Sequence, residues 1–77
     1  MKLNILSPES TLFQGEVERA SFPGAAGLFD VLPLHAPLIA ALKEGTIRYV
    51  TNGKEQELPI QSGFMEVKDD LISVCIE

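Results

Sequence analysis

The sequence is poor in the residues that build disulfides, zinc sites and active sites. It holds one cysteine, Cys75, so no disulfide can close within the chain. Its one histidine, His35, leaves too few ligands of the usual kind for a zinc site. Basic residues are also scarce, 6 against 11 acids, for a net charge of −5. That argues against a nucleic-acid binder, which needs a basic stripe, and against direct docking on anionic lipid. No secretory apolar core develops after Met1-Lys2, because Ser7-Pro8-Glu9 interrupts the opening at once. The longest charge-free apolar run, Val31 to Leu42, contains Pro33 and Pro37 and falls far short of the roughly 20 residues that cross a bilayer. A soluble protein is expected, with membrane association only through partner subunits.

What is present is an ordinary globular composition, 45% apolar and 22% charged. The 77 residues leave room for one core, so a single domain over residues 1–77 is expected. So short a chain buries a modest fraction of its surface, and its stability alone should be marginal. With disulfides and zinc set aside, partner subunits are the plausible supplement.

Alternation with a period of two dominates, and helical periodicity is nearly absent. Leu3 and Ile5 face one way and Asn4 the other. Thr11 to Phe22 reads as a long extended stretch, with Gly15 marking a bulge or bend. Pro23-Gly24-Ala25-Ala26-Gly27 is a tight loop, and Leu28 to Leu32 a short strand. Pro33-Leu34-His35-Ala36-Pro37 is irregular, because each proline pushes the residue before it out of the helical region. Leu38 to Leu42 is too short for a good helix and is read as a buried strand. Asn52-Gly53 is the strongest hairpin signal, between Thr46–Thr51 and Lys54–Ile60. Pro59 in the second of those strands points to an edge position or a bulge. A last hairpin turns at Asp69-Asp70, with Ile72, Val74 and Ile76 on one face of its final strand. These short strands and regular turns predict an all-β fold, a small antiparallel β-sandwich or flattened barrel.

Catalytic constellations are missing from this pattern. Ser/His/Asp or Cys/His chemistry would have to run through His35, whose neighbours supply no partner. A histidine that hydrogen-bonds locally or contacts a partner is the better reading. Cys75 reads as a small half-buried strand residue with nothing basic nearby to lower its pKa. Gly24 and Gly27 match neither phosphate-loop spacing. Asp69 and Asp70, adjacent in a turn, chelate a metal poorly and read as solvated. No cofactor or metal is expected. The stiff, apolar segment from Pro33 to Pro37 suits a binding surface, because it loses little entropy on docking.

The run from Phe22 to Leu38, FPGAAGLFDVLPLHAPL, resembles the signature of the epsilon subunit of F-type ATP synthases. The flanks Leu6-Ser7-Pro8-Glu9, Phe13-Gln14-Gly15-Glu16-Val17, Ala41-Leu42-Lys43-Glu44-Gly45 and Ser62-Gly63-Phe64-Met65-Glu66-Val67 are similar to the family's too. Two positions depart from the pattern: Asp30 and Leu34 stand where the family usually has glycine. The family commonly adds a pair of C-terminal helices, so a chain ending at Glu77 is expected to be the sandwich domain alone, without helix-based self-inhibition or ATP sensing. The resemblance implies a non-catalytic rotor part of a bacterial synthase. It would dock on the gamma subunit and the c-ring, peripheral on the cytoplasmic face of the inner membrane, and couple proton flow to ATP synthesis. It also implies partner contacts at Ala25, Ala26, Gly27 and Leu28 and at Leu34, His35 and Ala36. Two other readings compete. A free-standing β-barrel that binds a small ligand would need an apolar cavity with convergent polar groups, and a small enzyme would need a reaction run through His35.

Overall fold

The computed structural model describes residues 1–77, and every regular element in it is a strand. In chain order these are β1 (Lys2–Leu6), β2 (Thr11–Glu16), β3 (Arg19–Gly24), β4 (Gly27–Val31), β5 (Leu38–Leu42), β6 (Gly45–Thr51), β7 (Lys54–Ile60), β8 (Gly63–Lys68) and β9 (Leu71–Ile76). No helix is long and apolar enough to cross a membrane. The strands form one sheet in the order β2-β1-β9-β8-β5-β3-β6-β7, with β4 paired to β3. The sheet curls on itself. The rings of Phe13 on β2 and Tyr49 on β6 lie 4.5 Å apart, although these strands are far apart in the strand order.

Alternation explains the core. Leu3 and Ile5, Met65 and Val67, and Ile72, Val74 and Ile76 all point inward from β1, β8 and β9. Ala20 and Phe22 meet them from β3, and Ile47 and Tyr49 from β6. Phe22 is fully buried and packs on Phe29 with ring centroids 5.8 Å apart. No polar or charged residue is buried. The interior is therefore held by apolar burial and by the ladder hydrogen bonds.

The turn chemistry behaves as the residues dictate. Asn52 and Gly53 both take positive φ, 52° and 74°, and Thr51 pairs with Lys54 across them. Asp69 and Asp70 do the same at 53° and 61°, between Lys68 and Leu71. Pro59 lies on β7, at one end of the sheet order.

Three features differ from the sequence expectations. First, β1 and β9 pair in parallel, Leu3 with Ile72 and Ile5 with Val74, within an otherwise antiparallel sheet. Second, the stretch from Thr11 to Phe22 breaks at Val17–Glu18 rather than at Gly15, which stays in β2 opposite Leu3. Val17 turns into the core, and Glu18 donates its backbone N–H to the Val50 carbonyl at 2.8 Å. The Glu18 carboxylate also accepts the Gly53 N–H at 2.9 Å, so the break is tied to the β6–β7 hairpin. Third, β5 is only half buried. Leu42 points inward, while Ile39 and Ala41 face out.

Candidate partner-binding surface

Two loops from the run between Phe22 and Leu38 reach the surface, and each is held in its own way. The tip Ala25–Ala26 joins β3 to β4. Gly24 pairs with Gly27 there, and a Cβ on Gly24 would sit 2.7 Å from the Gly27 carbonyl oxygen, so the turn closes only around glycine. Gly27 takes φ 135°. The Ala25 N–H donates to the Ala41 carbonyl and the Lys43 N–H to the Pro23 carbonyl, both at 2.9 Å. These bonds pin the tip to the outer end of β5.

Between this tip, His35 and the exposed side of β5 runs an open, largely apolar groove of about 550 Å³. Of the residues singled out in the sequence, Ala25, Ala26, Gly27 and His35 line it together. Leu28, Leu34 and Ala36 are not part of its wall and instead stand exposed beside it. Leu28 alternates out of β4 and is 68% exposed, and Leu34 is 86% exposed. The ring of His35 donates from Nδ1 to the Ala36 carbonyl at 2.7 Å, a local bond that sets the ring against its own backbone.

The two departures from the family pattern behave differently. Asp30 lies in extended backbone on β4, paired with Ser21, and needs no special φ. Leu34 does: its φ is 66°, in the left-handed region that costs an L-residue roughly 1–2 kcal/mol. The bend is met by a distant group. Asp70 Oδ1 accepts the Leu34 N–H at 2.9 Å, from the turn between β8 and β9. Asp70 Oδ2 lies 3.4 Å from the Met1 ammonium, which also donates to Glu16 Oε2 at 3.1 Å. The Leu34 N–H, and after it the ammonium, hold the Asp70 carboxyl below its ordinary value. The Glu16 hydrogen bond, with Asp70 behind it, holds the ammonium pKa above its ordinary value. Asp69-Asp70 is therefore not merely the solvated turn expected from the sequence.

Sequence reasoning missed a second apolar surface. Leu6 pairs with Cys75, Cys75 with Phe64, and Phe64 with Ala41. These side chains form one outward row across β1, β9, β8 and β5. Phe64 is 64% exposed, and Ile39, two pairs further along β5, is 76% exposed. Cys75 lies exposed in this row rather than half-buried. The signal was in the alternation: Met65 and Val67 fill the inward positions of β8, which leaves Phe64 on the outer face. The interior is filled by side chains and the groove lies outside it, which speaks against a ligand-binding barrel.

A family model described as the ATP synthase delta/epsilon chain, β-sandwich domain, matches residues 1–77. An ATP synthase epsilon chain of Leptospira interrogans is 40% identical over 77 residues, covering all of this chain and 61% of that protein. One from Desulforamulus reducens is 44% identical over 76 residues, covering 99% of this chain and 58% of the relative. The chain thus spans about three-fifths of the length of these curated relatives. Among solved structures, a chain of the Euglena gracilis mitochondrial ATP synthase superposes with a TM-score of 0.89 at 21% identity, covering 96% of this chain and 48% of that one. A chain from the central stalk and c-ring of the Tetrahymena thermophila mitochondrial ATP synthase gives 0.84 at 8% identity, covering 97% and 61%. These two likenesses are likenesses of fold.

Proposed function

The chain belongs to the ATP synthase delta/epsilon chain β-sandwich family, and on that premise we propose that residues 1–77 form one domain that serves as a non-catalytic central-stalk subunit of a proton-translocating synthase. It docks on the gamma subunit and on the c-ring, and so couples ion flow to ATP synthesis. It sits at the cytoplasmic face of the bacterial inner membrane, held there by its partners. Ala25, Ala26, Gly27 and Leu28 with Leu34, His35 and Ala36 form the contact loops, and the outward row through Phe64 and Ile39 gives a second contact face.

The observation that carries this reading is the exposed apolar surface around the groove, on a domain whose core is closed elsewhere. Leu28, Leu34, Ile39 and Phe64 together expose more large apolar side chain than a self-sufficient small domain has reason to show. The net charge of −5 favours protein contacts over anionic lipid. Purification of the intact synthase from detergent-solubilised membranes, followed by intact mass measurement, tests the reading. The subunit should be recovered in complex with gamma and the c-ring. A chain that stays free of the complete synthase contradicts it.

A further inference from the structure

The segment from Pro33 to Pro37 crosses from β4 to β5 with one hydrogen bond to a distant part of the chain, from Leu34 N–H to Asp70 Oδ1 at 2.9 Å. Its other hydrogen bond is the local one from His35 to Ala36. Leu34, at φ 66°, would leave the left-handed region if released, because an apolar L-side chain gains nothing there. Asp70 can reach across because its own backbone is left-handed, at φ 61°, a conformation aspartate tolerates better than most residues.

We propose that Asp70, 36 residues away in sequence, is a positioning residue for partner docking: its carboxylate holds the left-handed bend that presents Leu34 and His35 to a partner protein. The inference rests on the docking reading above and adds a residue outside the run from Phe22 to Leu38. Losing the clamp lowers the fraction of molecules with the loop in its docking shape, and the apparent affinity falls by that fraction.

The test is a double-mutant cycle on the natural subunit. Docking is titrated onto synthase stripped of its own epsilon subunit, and exchange of the Leu34 amide is followed by NMR in the free subunit. Asp70→Gly removes the carboxylate without straining a left-handed residue. It should speed Leu34 amide exchange and weaken docking roughly five- to thirty-fold. Asp70→Asn keeps an acceptor but loses the charge facing the Met1 ammonium, and should dock close to the unsubstituted subunit. In a Leu34→Gly background, Asp70→Gly should cost almost nothing, because glycine takes this φ unaided. Equal weakening in both backgrounds would show that Asp70 acts through β1 or the fold, and would overturn the inference. So would docking indifferent to Asp70→Gly, with the function reading left standing. An unsubstituted subunit that fails to dock would overturn the docking reading and the inference together.

Discussion

Replacing Phe22 with alanine should remove about 3–5 kcal/mol of stability, enough to leave much of the protein unfolded. Phe22 is fully buried on β3, and its ring packs against Phe29 from the neighbouring strand. The substitution deletes the ring of one of the largest fully buried side chains in a predominantly apolar core. The loss compares with a total of roughly 5–15 kcal/mol for a small domain, and this one is at the small end. Urea unfolding followed by circular dichroism reads it directly. A loss under about 1 kcal/mol would mean that the core repacks around the gap far more easily than close packing allows. Partner binding should shift the apparent midpoint upward for the parent and the variant alike, because a ligand of the native state stabilises by mass action.

Ile39→Glu should do the opposite: leave the fold alone and damage docking. Ile39 points away from the core on β5, faces Glu66 across the β5–β8 pair and borders the groove. A glutamate there meets water in the free subunit but stands opposite Glu66, so the like-charge pair should cost no more than about 1 kcal/mol of stability and leave the fold intact. In a docked subunit the new carboxylate would be stripped of water with no cation of this chain paired to it. A cost of about 2 kcal/mol or more is expected, near 30-fold in affinity. Titration of the variant onto epsilon-depleted synthase, beside its urea midpoint, separates the two effects. Unchanged docking would remove β5 from the contact surface.

How much of this was legible in the sequence depended on the range of the interaction. Asn52-Gly53 announced its hairpin because the turn needs only the φ freedom of its own two residues. Pro59 pointed to an edge or a bulge because a missing N–H is a local fact, and β7 does lie at one end of the sheet order. The family resemblance was legible for a similar reason, since the Pro-x-His-Ala-Pro-Leu run is contiguous. Non-local choices left weaker marks. The parallel pairing of β1 with β9 joins the two ends of the chain, and Leu3 and Ile72 would have looked the same in an antiparallel pair. The break at Val17–Glu18 is fixed by bonds to Met1, Val50 and Gly53, none of them neighbours in sequence.

The contact surface shows the same division. The two loops could be picked out by glycine and proline. Leu34 in place of the family's glycine was legible as an oddity, but its answer, the Asp70 carboxylate, lies in another hairpin. The outward face of β5 was misread because Leu38 to Leu42 is apolar throughout, and composition cannot say which face of such a strand is covered. The register with β8 decides it, by placing Ile39 opposite Glu66 and Ala41 opposite Phe64.

In the proposed assembly, the groove between the Ala25–Ala26 tip and β5 meets the rotor. A photo-reactive amino acid placed at Ala26, with the subunit assembled in intact synthase, tests it most directly. Ala26 is exposed at the tip and packs nothing of the core, so the probe should not disturb the fold. On illumination, bonds to the gamma subunit or the c-ring are predicted. Bonds only to stationary subunits of the catalytic head, or none at all in a fully assembled enzyme, would rule out this contact.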